Sequence, residues 1–429
     1  MNFSKASFNS LCVFEYFSSE MPFIAASIAC LAALSLSYFT LINFIVTIKI
    51  YKFRLLCNRV MKTYLSFNVR KLVKKINSKT EFYEISLNKN NLDIDKKYKS
   101  KKGRPFSLKL PPNIKITPEV VGLIVGEGYI GCRHFVFANS NEKAISEVLD
   151  FLKQFNLPIK MYLEISIKNK EKKFEIECKK FWENYLKREL KRIRLRKEFS
   201  SITKYGTIHL ILNNSLVAKL LMEIILLSKA KIENNKLFSI SYLKGIIAAE
   251  GNVNVKKSTN CVYMVRISAS KPEEREHYKR CLKKAGINVS CKDMPTISKE
   301  EGIKKGWKTN KGRAGAVIIS GWDNFIKIFM LDLLILHQEK QEKFLRYFVN
   351  NKFTKQFIDF NYFIGKRFTM KEAQDYFNFK GRCLDRVLTF LKKGYLSRRK
   401  INGAKYAYKL TDKYTELYKK FMNLYSTSF

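Results

Sequence analysis

Two glutamates, Glu127 and Glu250, sit in matching local settings, and their type and spacing could support chemistry. The first ends the run Val120-Val121-Gly122-Leu123-Ile124-Val125-Gly126-Glu127-Gly128. The second ends Leu243-Lys244-Gly245-Ile246-Ile247-Ala248-Ala249-Glu250-Gly251. Each run holds a small residue, three further residues, a second small residue, then Glu and Gly. Residues i and i+4 share a helix face, so Gly122 and Gly126 form one small face, and Gly245 and Ala249 another. Small faces let two helix backbones approach closely. Helices packed in this way bring their C-terminal ends together and set the two carboxylates side by side. Such carboxylates repel each other, and a helix C-terminus further disfavours negative charge. Mg²⁺ or Mn²⁺ resolves both problems, because a hard cation takes one or two carboxylates together with substrate phosphate and water. It can then activate water and stabilise the leaving oxygen of a phosphodiester. Gly126 and Ala249, beside the acids, complete the expected metal site. One apolar helix ending in Glu-Gly is more often a core helix with a glycine cap; the duplication carries the weight.

The elements that must position these helices also repeat. The pattern predicts a helix from Pro118 to Tyr129, a strand from Arg133 to Ala138, and a helix through Ala144, Val148, Leu152 and Phe155. Strands at 159–167 and 206–212 and a helix from Leu216 to Leu227 complete the first copy. The second copy predicts a helix from Ser241 to Glu250 and a strand from Cys261 to Ala269. In that strand Val262 and Met264 fall on one face, and Tyr263, Val265 and Ile267 on the other. A helix through Tyr278 and Leu282, strands at 287–291 and 314–320, and a helix from Asn324 to Leu336 follow. Two copies of helix, strands, helix, strands, helix predict an α+β protein of two pseudo-twofold related αββαββα units. The first copy carries an insertion at 181–197 rich in Lys and Arg, including Arg192, Arg194 and Arg196. It reads either as a solvated helix or as a phosphate-contacting element.

With both motifs in place, the stretch Thr117 to Asn350 resembles the LAGLIDADG homing endonucleases in their single-chain, two-motif form. The resemblance puts the family's metal-binding acids at Glu127 and Glu250. The chain departs from the pattern at Val125 and Ala248, where an Asp is common. The resemblance implies two saddle-shaped sheets in the DNA major groove, with Arg133, Lys160, Arg266 and Lys292 as DNA contacts. The loop 304–313, with Lys308, Lys311 and Arg313, would be another contact. The family often places a basic residue near the site after each unit's last helix, which makes Lys231, His337 and Lys340 accessory candidates. The implied activity is a metal-dependent, staggered double-strand break in a long asymmetric site, made by a monomer. No Cys or Ser start with a terminal His-Asn is visible, which favours an intron-encoded or free-standing enzyme over an intein. The alternatives are a non-cleaving DNA-binding regulator of the same fold and an intron RNA maturase.

Bulk properties agree with a polyanionic partner. Lys and Arg number 81 against 37 Asp and Glu, a formal charge of +44, and phosphate contacts release counterions and add affinity. An AT-rich genome explains Lys over Arg but not the shortage of acids. Nine cysteines without a C-x-x-C pair and only four histidines argue against a zinc site or a disulfide framework.

The ends of the chain differ from its middle. Residues 355–429 resemble a winged helix-turn-helix domain. Thr369 to Ala373 reads as a helix start, a second helix passes through Leu384 and Leu391, and Asn402-Gly403 marks a hairpin. Arg382 and Arg386 would face the groove and Arg398 would lie on the wing. Residues 51–111 read as a basic linker or arm. Residues 1–50 form an apolar N-terminal segment whose stretch 21–48 is uncharged and long enough to cross a bilayer. That stretch is expected either as a transmembrane helix making membrane contact or as an upstream-exon remnant. The two units are expected at 112–236 and 237–352. The expected location is a compartment holding the target DNA: an organelle matrix or stroma, or a prokaryotic cytoplasm.

Overall fold

A computed structural model describes residues 63–428, apart from 78–80, 89, 99–105, 167–171, 197–203, 270, 294–314, 379–382 and 404. The apolar segment 21–48, the loop residues Lys308, Lys311 and Arg313, and Arg382 lie outside the described residues. Among the described residues no helix is long and apolar enough to cross a membrane.

The segment read as a linker is structured. β1 (Leu65–Asn68) pairs antiparallel with β5 (Asn113–Ile116), and α1 (Val69–Ile76) follows β1. β2 (Glu81–Asn88), β3 (Asn91–Tyr98) and β4 (Phe106–Leu110) form a separate three-stranded antiparallel sheet. The physical reason is alternation: Leu92 and Ile94, like Leu108 and Leu110, point inward and are buried while charged neighbours point out. Basic composition hid this period.

The first unit begins at α2 (Pro118–Glu127), where Thr117 accepts a hydrogen bond from the Val120 N–H and Pro118 occupies the first turn. It runs through β6 (Gly128–Ile130), β7 (Phe135–Asn139), α3 (Glu142–Leu152), β8 (Lys160–Ser166), α4 (Lys172–Leu186), β9 (Ile193–Arg196), β10 (Thr207–Leu212) and α5 (Ser215–Asn234). The second unit comprises α6 (Lys236–Glu250), β11 (Gly251–Lys256), β12 (Cys261–Ser268), α7 (Pro272–Lys284), β13 (Ser290–Asp293), β14 (Gly315–Ile319) and α8 (Trp322–Met330), followed by α9 (Gln338–Phe348). The first sheet has the order β6-β7-β10-β8-β9 and the second β11-β12-β14-β13. The four strands β6, β7, β10 and β8 therefore match β11, β12, β14 and β13 in both chain order and position.

Local departures from the sequence reading have local causes. α6 starts at Lys236 rather than near Ser241, because Asn235 caps it by accepting from the Leu237 and Phe238 N–H groups. In β12, Val262 is buried with Val265 and Ile267, and Tyr263 is exposed. Val265 faces Val253 and Met264 faces Asn254, but Val262 faces Val255, so one residue bulges and the inside-outside parity flips. Strict alternation cannot anticipate a bulge.

The C-terminal part has α10 (Lys352–Asp359), β15 (Arg367–Thr369), α11 (Met370–Phe377), α12 (Cys383–Lys392), β16 (Leu396–Asn402), β17 (Lys405–Leu410) and α13 (Asp412–Ser428). Its three strands run in the order β15-β17-β16. Thr369 and Glu372 form a reciprocal capping box at α11. An aromatic cluster joins this part to the second unit: Trp322 of α8 packs at a tilt against Phe353 and edge-on to Tyr395, and donates its indole N–H to Thr354 Oγ1 at 3.0 Å.

Candidate active site

The site is built on the contact between α2 and α6. A Cβ added at Gly122 would lie 2.4 Å from the Tyr242 carbonyl oxygen, and one at Gly245 would lie 2.1 Å from that of Glu119. The two backbones touch where the small residues allow it. A turn further on, a Cβ at Gly126 would lie 2.5 Å from the Ala249 Cβ and 3.2 Å from the Glu250 Cγ. The side chain of Glu250 therefore lies against the last turn of α2, which ends at Glu127. Gly128 and Gly251 then take extended backbone and begin β6 and β11 directly. Each acid thus sits at the junction of its helix and its sheet.

Electrostatics follow from this geometry. Glu127 is exposed and Glu250 half-buried. Loss of hydration raises the Glu127 carboxyl, partly offset by the Lys340 ammonium. Glu250 is pushed up to about 7, first by loss of hydration and then by the charge of Glu127, with Lys340 opposing. Two carboxylates in competition, with spare acceptor capacity, make a hard oxygen-donor set.

Lys340, from α9, reaches the same place. Its Nζ donates to the carbonyl oxygens of Ile247 at 3.2 Å, Ala248 at 2.6 Å and Ala249 at 3.3 Å. These are last-turn carbonyls of α6, where a helix leaves acceptors unsatisfied and favours a cation. Burial lowers the Lys340 ammonium to about 8, while Glu127 and Glu250 hold it up. His337 plays a different part: its Nδ1 accepts from the Lys340 N–H at 3.4 Å and caps α9. Burial first, and Lys340 second, push His337 down to about 4, so it is neutral at pH 7. Lys231 is exposed and points elsewhere, with its Nζ 4.7 Å from the centre of the Phe67 ring on β1. Of the three accessory candidates, the structure brings only Lys340 to the carboxylates.

The raised Glu250 has a measurable consequence for stability. A carboxyl with a folded value near 7 holds a proton that the unfolded chain, near 4.5, has released. Below about 4.5 both states are protonated and the group contributes nothing to the pH slope. Between about 4.5 and about 7 the folded state binds more protons, so stability falls as pH rises, and above about 7 the loss is complete. In EDTA, the stability difference between wild type and Glu250→Gln, measured by urea unfolding, should therefore shift against the wild type between about pH 5 and about pH 8. Parallel pH profiles for the two proteins would contradict the placement of Glu250.

The predicted DNA-contact residues divide. Lys160 on β8 is exposed, and its register neighbour on β10 is Ile211, on the face of the first sheet turned away from the helices. The same face holds Tyr162 stacked on His209 at 4.3 Å, with Glu164 3.7 Å from His209 Nε2. The sequence reading missed this trio, because aromatic and His side chains on a strand look like core. Arg266, half-buried, lies opposite Asn252 and Ile318 on the corresponding face of the second sheet, and exposed Lys292 lies opposite Ala316. Arg133 is on the β6–β7 connection and lines a basic cleft of about 640 Å³ with Lys96, His134, Asn214 and Lys219. Arg398 is exposed on β16, its guanidinium 4.9 Å from the Tyr406 ring. Arg386 is half-exposed. With the Gln356 amide turned to match, its Nε and Nη2 donate to the Gln356 oxygen at 3.3 and 3.2 Å. α12 turns Val387 and Phe390 inward, and its exposed residues are Leu384, Asp385, Leu388 and Lys392.

Residues 238–348 match a family model described as a LAGLIDADG-like domain. Among solved structures, the chain is similar to I-DmoI in complex with DNA and Mn, at 15% identity over 50% of this chain and 94% of that one, with a TM-score of 0.29. For I-DmoI with DNA and Ca the values are 13%, 50%, 86% and 0.28. Full-length DUF199/WhiA from Thermatoga maritima covers 72% of this chain and 91% of its own length, at 12% identity and a TM-score of 0.30. No curated protein matches the chain. The matched residues take in most of the second unit. Glu250 and Lys340 both fall within the matched residues, and Glu127 falls before them.

Proposed function

We propose that this chain is a metal-dependent, site-specific DNA endonuclease built from two pseudo-twofold related LAGLIDADG units. One observation carries the reading: Glu127 and Glu250 converge at the ends of α2 and α6, which touch backbone to backbone at Gly122 and Gly245. The donor set fits a divalent cation such as Mg²⁺ or Mn²⁺. Both carboxylates offer oxygen, and the carbonyls of Gly126 and Ala249 adjoin them. Among the described residues there is no third acidic, His or Cys ligand, which leaves coordination positions for substrate phosphate and water. When bound, the cation would supply Lewis-acid activation of the phosphodiester and of the attacking water.

The chain's own residues supply the rest. The carboxylates fix the cation's position at the seam between units. Lys340 holds the α6 terminus and adds positive charge beside the reacting phosphate. His337, kept neutral, orients the first turn of α9 and hence Lys340. The open sheet faces, with Lys160, Arg266 and Lys292, take the flanking duplex. The C-terminal segment resembles a winged helix whose hairpin, through Arg398, grips the backbone. The hairpin is the more basic of the two exposed elements, with Arg398, Arg399 and Lys400 exposed on β16 against Lys392 on α12.

One observation favours a second reading, a DNA-binding regulator that does not cut. The Lys340 ammonium already neutralises part of the carboxylate pair without any cation. Incubation of the protein with a randomised-target plasmid library, in Mg²⁺ and in EDTA, separates the readings. The endonuclease gives a discrete set of Mg²⁺-dependent linear products. Retained DNA with full binding and no strand scission supports the regulator.

A further inference from the structure

Among the described residues the first sheet has one strand more than the second, and that strand is built rather than incidental. β9 lies parallel to β8, with Leu163 opposite Ile193 and Glu164 opposite Arg194. A parallel neighbour requires a crossover, and α4 supplies it. The crossover is anchored: Cys178 and Trp182 are fully buried, Trp182 Nε1 donates to the Tyr205 carbonyl at 2.8 Å, and Phe181 stacks on Tyr205 at 3.8 Å. The ladder continues before β9, where the Leu163 N–H donates to the Arg192 carbonyl at 3.1 Å.

This anchoring fixes the direction of three arginines. Residues in register on neighbouring strands share a face, and Leu163 is buried on the helix side. Ile193 therefore turns inward, and Arg194, with Glu164, faces the open side. Two contacts place Arg196 and Arg192 there as well. The Arg196 Nη1 lies 3.2 Å from Glu164 Oε1, and the Arg192 guanidinium lies 6.0 Å from the Tyr162 ring centre. All three arginines are exposed. They alternate along an edge strand at a spacing of roughly 6.6 Å. In the order β6-β7-β10-β8-β9, with β6 continuing α2, this edge is the part of the sheet farthest from the carboxylates, roughly 19 Å of strand spacing away. Glu164 offsets part of Arg196, which leaves Arg192 and Arg194 as the principal charges.

Resting on the proposed reading of the open faces as a DNA-binding surface, we infer that β9 is an added phosphate clamp. Arg192, Arg194 and Arg196 grip duplex backbone beyond the outer end of the first unit's half-site, making the footprint asymmetric. The clamp reads no bases. Its contribution is sequence-independent and sensitive to salt. Charged residues also protect exposed sheet edges from pairing with other chains, and the test must separate the two roles.

The full chain and its Arg192→Ala/Arg194→Ala variant are titrated with a long mixed-sequence duplex in EDTA over a series of salt concentrations. Each lost phosphate contact lowers the log-log salt slope by about 0.9, so the double variant is expected to lose nearly 2. Arg192→Lys/Arg194→Lys should keep most of the slope, since a phosphate accepts a point charge from either residue. Two results overturn the inference while leaving the DNA-binding reading intact: a wild-type slope in the alanine variant, or that same slope with increased self-association by light scattering, which would assign the arginines to edge protection. Failure of the wild type to bind any duplex overturns both.

Discussion

Glu127→Gln and Glu250→Gln are each expected to lower strand scission by about a thousandfold or more and to leave duplex affinity within a few-fold of wild type. The size follows from the role. A cation stabilises the reacting phosphate by several kcal/mol, and each 1.36 kcal/mol is tenfold in rate. Replacing one carboxylate by an amide removes the negative charge but keeps the shape, so the α2–α6 contact survives. The Glu250→Gln substitution also relieves repulsion, because the charge of Glu127 is one reason Glu250 is pushed up to about 7. That variant should therefore be no less stable than wild type at neutral pH. Cleavage rates and binding isotherms on the same target check this. Equal loss of binding and scission would mean that the glutamates support the fold or the DNA surface rather than the chemistry.

Gly245→Ala is the second large effect, and it acts through packing. The new methyl would meet the Glu119 carbonyl oxygen at 2.1 Å and the Leu123 nitrogen at 2.9 Å, both backbone atoms that cannot rotate away. Overpacking usually costs 1–3 kcal/mol, and a backbone clash lies at or above that end. We expect a loss of about 3 kcal/mol, which lowers the melting temperature by roughly 10 °C for a domain of this size. Activity should fall with it, because the helices carry the carboxylates. Gly126→Ala provides the control, since its methyl meets only side-chain atoms of Ala249 and Glu250 closely, at 2.5 and 3.2 Å. Pairing it with Ala249→Gly removes the nearer contact and should restore most of the stability, whereas no such partner exists for Gly245. A Gly245→Ala protein as stable as wild type would refute the close helix approach.

The central arrangement was legible because it is written twice. Gly122 with Gly126 and Gly245 with Ala249 encode the helix contact, and the acids follow at a fixed offset, so a helix period alone puts Glu127 and Glu250 together. Lys340 was legible only as one of three candidates. What distinguishes it from Lys231 is where their helices pass: α9 behind the open end of α6, and α5 beside β1, a tertiary fact with no sequence period. The β-sheet at 81–110 was hidden by its lysines, of which Lys97 and Lys109 point out and Lys96 is buried beside Leu92 and Ile94, and the Tyr263 bulge by the regular alternation around it. The Arg386 contact could not be read from sequence, because a basic residue on a presumed recognition helix faces either way, and its partner, Gln356, lies on α10. β9 was visible only as a run of alternating arginines. Its direction was set by the register of Leu163 with Ile193, which requires the fold.

Cation binding at the α2–α6 seam is the most direct test. Mn²⁺ is titrated into the wild type and the Glu127→Gln/Glu250→Gln double variant, with and without duplex, and bound ion is read by calorimetry and electron paramagnetic resonance. The wild type should bind Mn²⁺ more tightly with duplex present and release protons on binding below about pH 7, where Glu250 is still protonated. The double variant should lose this binding while its circular dichroism is unchanged. Equal Mn²⁺ binding by the two proteins would contradict the claim that Glu127 and Glu250 together form the metal site.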